Sequence, residues 1–130
     1  MTAQILILAK IKPYGDFAYR HLTRAGYGVT VQEPEKYSGL QPQLPDLVLQ
    51  ESNALFDDRK AFPKDLDLTQ RVVNDIRASG KTISMLVVST AYGTQEMIDF
   101  MRILHDLDDF DFQRKTYSGE ELATAVRKML

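Results

Sequence analysis

The chain has 130 residues, of which 44% are hydrophobic and 26% are charged, and its formal net charge is −2. A chain of this size can bury about two-thirds of the surface that its unfolded form exposes, so we expect one globular domain over residues 1–130. The absence of cysteine excludes disulfides and thiolate metal sites, and the small net charge gives no electrostatic reason to expect nucleic acid as a partner.

The sequence also gives no indication of a membrane span, a signal peptide or a metal site. No apolar run approaches the roughly 18 residues that a transmembrane helix needs. The N-terminal MTAQILILAK lacks the basic lead-in and the small-residue cleavage site of a signal peptide. The two histidines, His21 and His105, lie far apart in the chain, which argues against a zinc site. We therefore expect a cytoplasmic protein with neither a membrane span nor a bound metal.

Five short runs of β-forming residues are spaced along the chain. Three of them are almost wholly apolar, as is typical of strands that are buried on both faces of a sheet. The other two alternate between apolar and polar residues, which predicts a partly exposed strand. In chain order, the five predicted strands are residues 4–9, 28–32, 47–50, 83–88 and 110–114.

Helical patterns separate these strands, except between the second and third, where two prolines and a glycine allow only a turn or two of helix. Residues 52–67 are predicted to form a long surface loop. We expect Asp67 and Thr94 to cap the two helices that follow them, and Ser118 with Glu121 to form a capping box at the last helix. The apolar stripes of the predicted helices cover residues 18–25, 68–76, 97–104 and 122–129.

The alternation of strands with helices predicts an α/β fold, a parallel sheet with helices on both faces. Right-handed crossovers leave few topologies for five such strands, and the flavodoxin-like order 2-1-3-4-5 is a common one. In doubly wound sheets the functional crevice lies beyond the carboxyl ends of the strands. The residues that the predicted strands bring to that edge are Ala9, Lys10, Glu51, Thr90 and Lys115.

Four segments of the chain are similar to parts of one known family. ILIL is similar to its first strand, PDLVLQE to its third strand, which normally ends in a phosphorylated aspartate, and LVVSTA to its fourth strand with a switch serine or threonine. DFQRKTYSGEELATAVRKML is similar to its fifth strand, its lysine and its last helix. Over nearly its full length the chain thus resembles the receiver domains of two-component response regulators. The resemblance implies a receiver-like fold with Glu51, Thr90 and Lys115 at the three named positions.

The same resemblance implies a magnesium ion held by two acids after the first strand and by the aspartate after the third. In this sequence the two acids are replaced by Ala9 and Lys10, and the aspartate by Glu51. Glutamate is one methylene longer, and misplacing a reacting group by about an ångström can cost about 10²-fold in rate. We therefore expect no metal, no cofactor and no phosphoryl transfer here, and we expect Glu51 to pair with Lys115, Lys10 or both.

These departures predict a degenerate receiver: a signalling module that is not an enzyme and acts without phosphorylation. The resemblance implies that it docks a kinase, an effector or a second copy through the family's face of helix 4, strand 5 and helix 5, which includes Phe112, Arg114 and Tyr117. An alternative is a phosphoryl-accepting receiver that uses another carboxylate, Asp57 or Asp58. A flavin or small-ligand domain is disfavoured because no phosphate-binding glycine loop follows the first strand.

Overall fold

The computed structural model describes residues 2–40, 42–53 and 61–130, without the side chains of residues 61 and 62. Strands and helices alternate within it, and one turn of 3-10 helix, Pro34–Lys36, stands between the second and third strands. The elements in chain order are β1 (Gln4–Leu8), α1 (Lys12–Arg24), β2 (Gly28–Gln32), β3 (Leu47–Ser52), α2 (Ala61–Ser79), β4 (Ser84–Ser89), α3 (Glu96–Leu104), β5 (Phe110–Arg114) and α4 (Gly119–Met129).

The five strands form one parallel sheet in the order β2-β1-β3-β4-β5, which confirms the predicted topology. Because all the strands run the same way, their carboxyl ends meet along one edge of the sheet. The register sets Leu8 beside Gln50 and Glu51 beside Val88. Glu51 therefore lies at the carboxyl edge, in the centre of the sheet.

Each face of the sheet is covered by two helices. The strand side chains on one face of the sheet form a core cluster with α2 and α3. The strand side chains on the other face form a second cluster with α1 and α4. All six residues of β3 and of β4 are buried, as expected for strands covered on both faces. Leu47 and Leu49 belong to the cluster with α1 and α4. Since side chains alternate along a strand, Glu51 also points to the α1–α4 side.

Two of the predicted helix caps are wrong. α2 includes residues from Ala61 onward, so Asp67 lies inside the helix rather than before it. α3 begins at Glu96, and the hydroxyl of Thr94 instead donates to the carbonyl of Ala91 at 2.6 Å. The predicted loop of residues 52–67 accordingly ends in helix, and its central part lies outside the described residues.

The predicted capping box at α4 is half formed. The hydroxyl of Ser118 accepts the N–H of Glu121 at 3.3 Å, as a helix N-cap does. The carboxylate of Glu121 does not return to Ser118, because it accepts the hydroxyl of Thr116 at 2.8 Å. Two hydrogen bonds around Thr116 thus fix the turn between β5 and α4, since the N–H of Ser118 also donates to that hydroxyl.

The segment between β2 and β3 is held against α2 by one aromatic anchor. Tyr37 is buried, and its hydroxyl donates to Asp75 Oδ2 at 2.6 Å. Arg71 donates to the carbonyl of Tyr37 at 2.9 Å and lies over the same ring. Burial and the bond to Asp75 raise the pKa of Tyr37, so this phenol stays protonated.

None of the helices in the described ranges combines the length and the hydropathy that crossing a bilayer would require.

Candidate functional site

Glu51 is a buried carboxylate with a partner for each of its oxygens. Its Oε1 accepts the main-chain N–H of Ile11 at 3.0 Å, and its Oε2 lies 2.8 Å from Lys115 Nζ. The side chains of Glu51 and Lys115 are 0% and 6% exposed. Oε2 receives no well-directed hydrogen bond from the described residues, so charge attraction is what holds it. A buried carboxylate is tolerable only when it is paired in this way.

Lys115 reaches Glu51 from the end of β5. Its main-chain N–H donates to the carbonyl of Ser89, at 3.1 Å, and this bond fixes where the side chain starts. The ammonium also donates to the side-chain oxygen of Asn53. It lies 4.9 Å from the ring centre of Tyr14 and 5.6 Å from that of Tyr117. Carboxylate, amide and two aromatic faces together replace the water that an ammonium normally binds.

Tyr14 is the aromatic side chain that closes the site from α1. It is fully buried, and its hydroxyl has no hydrogen-bond partner among the described residues. Its ring lies 5.5 Å from that of Phe17 and 5.7 Å, edge-on, from that of Tyr117. Burial and the charge of Glu51 raise the pKa of Tyr14, so it remains a neutral phenol above the ion pair.

A second carboxylate, Asp65, lies on the opposite face of β3. Ser52 donates its hydroxyl to Asp65 Oδ2 at 2.7 Å, and the main-chain N–H of Asn53 also donates to this carboxylate. Burial raises the pKa of Asp65 and the charge of Glu51 adds to the rise, whereas the bond from Ser52 and the charge of Lys10 oppose it. The carboxyl edge of β3 therefore carries one acid on each face.

The structure separates the two lysines that were proposed as partners of Glu51. Lys115 makes the ion pair, whereas Lys10 is exposed and acts electrostatically on Asp65. Ala9 is buried and contributes no side-chain polar atom. The main-chain N–H of Thr90 donates to the carbonyl of Ser52 at 3.2 Å, while its buried hydroxyl has no partner among the described residues.

The residues of the predicted docking face are placed differently from one another. Phe112 is only 4% exposed, so the prediction that it contributes to the surface is wrong; its ring packs into the core 5.4 Å from that of Phe100. Arg114 is exposed and lies over the ring of Tyr92, at 5.6 Å. Tyr117 is 64% exposed. Asp57 and Asp58, the alternative acceptors, lie outside the described residues.

The side chains at this edge do not fit a magnesium site. Magnesium takes oxygen ligands in an octahedron, but Ala9 offers no side-chain oxygen and Lys10 offers a positive charge. Both oxygens of Glu51 already face an N–H group or an ammonium. Within residues 2–40, 42–53 and 61–130, no group of three histidine, cysteine, aspartate or glutamate side chains could hold a metal ion.

Three residues of the site were missed in the sequence. Asn53 follows Glu51 by two residues and so lies on the same side of β3, a signal that strand alternation offered. Asp65 lies in a stretch that was predicted as loop. Tyr14 is brought to Lys115 by the packing of α1 on α4, which no local pattern indicates.

The sequence matches no protein-family model and no curated protein. Its backbone is nevertheless similar to solved structures of one kind. The chemotaxis protein CheY4 from Vibrio cholerae superposes with a TM-score of 0.75 at 13% identity, with 100% of both chains covered. A response regulator from Thermotoga maritima superposes with a TM-score of 0.67 at 19% identity, over 99% of this chain and 98% of that one.

A third similar structure is the response regulator TrrA, also from Thermotoga maritima, solved in complex with Mg²⁺ and BeF. It gives a TM-score of 0.67 at 17% identity, over 99% of this chain and 100% of that chain. All three superpositions cover nearly the whole of both chains, although few of the residues are identical. The chain therefore has the CheY-like, flavodoxin-type fold of response-regulator receiver domains.

Proposed function

We propose that this chain is a receiver-like signalling module that acts through contacts with other proteins and is not phosphorylated on Glu51. The observation that carries the proposal is the buried ion pair between Glu51 and Lys115, 2.8 Å long, at the place where the resemblance puts the phosphoacceptor. Similarity of the fold to receiver domains supports the signalling role. The chemistry of the pair supports independence from phosphorylation.

A phosphoacceptor carboxylate must present a free oxygen to the incoming phosphorus in line with the leaving group. The side chain of Glu51 is 0% exposed, and each of its oxygens is already engaged. Attack would require the Lys115 ammonium to leave, which would strand a buried charge. The ammonium also supplies the positive charge that a divalent ion supplies in phosphoryl transfer. The charges of Glu51 and Lys115 thus compensate each other, and Glu51 has no free oxygen for phosphoryl transfer.

The partner is a protein, and the surface best suited to bind it lies around the carboxyl end of β5. Tyr92 and Tyr117 are 43% and 64% exposed, Ile98 on α3 is 42% exposed, and Arg114 lies over Tyr92. Tyrosine and arginine are the side chains enriched at interface hot spots. Phe112 stacks beneath Tyr92, with ring centres 6.4 Å apart, and so supports it from the core. A kinase, an effector or a second copy would dock here.

Phosphorylation can be tested directly with acetyl phosphate and Mg²⁺. We expect no mass increase of the intact protein, and no rise in melting temperature with beryllofluoride, because a ligand stabilises only a fold that binds it. A triple variant, Ala9→Asp with Lys10→Asp and Glu51→Asp, restores the family's acids and should respond to both reagents. A phosphoryl group found on Glu51 of the native chain would refute the proposal.

A second candidate function is a phosphoryl-accepting receiver that uses a different carboxylate. The observation in its favour is Asp65, which lies beside Ser52 and Asn53 at the same edge and whose pKa burial raises. The acyl-phosphate reaction above separates the two functions if it is repeated on Asp65→Asn, Asp57→Asn and Asp58→Asn. A label on the native chain that one of these variants removes would establish this second function instead of the first.

The docking surface needs its own test, which does not depend on phosphate chemistry. Sedimentation of the native chain at rising concentration reports whether a second copy is the partner. Arg114→Ala should weaken any association through this surface, whereas Arg20→Ala on the exposed side of α1 should leave it unchanged. Equal behaviour of the two variants in an association that does occur would place the interface elsewhere.

A further inference from the structure

β2 is an edge strand, and in the described part of the chain it lacks three of the features that usually protect an edge. Natural edges are blunted by charged residues, by proline or by a bulge. The five residues Gly28–Gln32 include no charge and no proline. They pair with β1 in unbroken register, which leaves no bulge. The opposite edge, β5, carries Asp111 and Arg114. Within the described residues, the β2 edge is therefore open to another extended chain.

The main-chain groups that face outward can be assigned from the bonds that face inward. The N–H of Gly28 and the C=O of Gln32 both bond to the chain of β1 or the residues beside it, at 2.9 and 3.2 Å. Hydrogen-bonding groups alternate along a strand of a parallel pair. The N–H and C=O groups of Val29 and Val31 therefore point to the open edge, where a further strand would find donors and acceptors.

A cavity of about 330 Å³ adjoins this edge. It lies over β1 and β2, beneath the segment that links β2 to β3, and Leu6, Thr30, Leu40 and Leu44 contribute to its wall. Although 26% of the chain is charged, none of the described residues that line the cavity is charged. Its size is at the lower end of ligand pockets, which run from about 300 Å³. It suits one or two apolar side chains.

The other face of β2 also offers apolar surface to an added strand. Val31 is 41% exposed. It packs closely on α1, where a Cβ placed on Gly15 would lie 3.3 Å from its Cγ1. Side chains of an extended segment alternate between the two faces of a sheet. One set would therefore enter the cavity while the other set would lie against Val31.

We propose that the β2 edge binds an extended, uncharged segment of a partner protein as a sixth strand, with alternate apolar side chains entering the cavity. Main-chain bonds to Val29 and Val31 supply affinity, and the cavity supplies selectivity, as in other cases of strand addition. A second copy fits less well. In an antiparallel β2–β2 pair the copy would offer only Gly28, Thr30 and Gln32 toward the cavity, and these side chains are too small or too polar to fill it.

The test uses the peptide acetyl-KTVLVTK-amide with ¹⁵N-labelled native protein; its uncharged five-residue centre matches the length of β2, its central leucine would enter the cavity, and the two lysines flank the strand and keep the peptide in solution. Amide exchange at Val29 and Val31 should slow about tenfold when the peptide is at ten times its Kd. Val31→Pro removes an outward donor at a position where edge strands tolerate proline, and should abolish the slowing at Val29. Val31→Thr keeps that N–H group and is the matched control.

Two peptide controls keep the test independent of how the variants fold. N-methylation of the central leucine and of both valines blocks the main-chain donors whichever way the added strand runs, and replacing the leucine with aspartate places a charge against the uncharged cavity; both changes should abolish the slowing. Three results would each overturn the proposal. They are no slowing with the parent peptide, equal slowing with the aspartate peptide, and slowing that follows protein concentration without peptide, which would identify a second copy as the occupant.

Discussion

Replacing Lys115 with methionine should destabilise the protein more than any other lysine substitution at an ion pair that the structure describes. Methionine keeps most of the apolar stem of lysine but removes the ammonium, so the buried carboxylate of Glu51 loses the charge at 2.8 Å. Asn53 loses the donor to its side-chain oxygen in the same step. Breaking one partner of a buried pair typically costs about 3–5 kcal/mol.

That loss is a large part of the total stability of a domain, which is about 5–15 kcal/mol. The unfolding entropy of a 130-residue chain is about 0.27 kcal/mol/K at about 2.1 cal/mol/K per residue. Dividing the loss by this entropy gives a fall in melting temperature of about 11–18 °C. The double variant Glu51→Gln with Lys115→Met removes both charges and should recover most of the loss.

Urea unfolding followed by circular dichroism measures these changes. Lys36→Met is the matched control, because Lys36 pairs with Glu33 at 3.8 Å on the surface, where both side chains are more than half exposed. An exposed pair of this kind contributes at most about 1 kcal/mol. If Lys115→Met behaves like Lys36→Met, or if the double variant is no more stable than Lys115→Met alone, the buried ion pair does not contribute to stability in this way.

Three further predictions concern single contacts. Burial raises the pKa of Asp65, so its contribution to stability is fully present below about pH 4 and is lost as the pH rises from there through the folded pKa. In urea titrations Asp65→Asn should therefore gain on the native chain over this pH range, and a difference independent of pH would contradict this. The hydroxyl of Thr69 donates to Gln50 Oε1 at 2.8 Å, so Thr69→Val leaves this buried acceptor without its donor and should cost about 1–3 kcal/mol, while Thr23→Val on the exposed side of α1 should show no measurable loss. Gly119→Ala should cost about 1–3 kcal/mol because the new Cβ meets the ring of His21, and His21→Ala should relieve that penalty, a result that an unstrained site would not give.

The sheet was predictable from the sequence because its signals are local. Continuous apolar runs identify β3 and β4, and the alternation of strands with helices fixes a parallel order. The start of α2 was not predictable in the same way. Pro63 is the third residue of that helix as the structure describes it, and proline is tolerated in the first turn of a helix. A proline that indicates a loop elsewhere is compatible with helix at this position.

The part of the candidate site that was predictable consists of the residues at the ends of the strands. Glu51 lies near the carboxyl end of β3 and Lys115 follows β5, two strands away, so topology brings both to the same edge of the sheet, where the long lysine side chain reaches across β4. The choice of Lys115 over Lys10 depends on direction, because Glu51 points to the α1–α4 side, whereas Lys10 is exposed and interacts with Asp65. The closing ring of Tyr14 depends on how α1 packs, and helix packing is a tertiary property.

The enclosure of Lys115 beneath two aromatic rings has a practical consequence for its reactivity. Amines react with acylating reagents only when the reagent can reach them, and this one is 6% exposed and lies 2.8 Å from a buried carboxylate oxygen. Exposed lysines such as Lys12, Lys81 and Lys128 should be modified within the first minutes of a footprinting experiment. Lys115 should be modified only as fast as the crevice around it opens, so its rate of modification measures the rate of that opening.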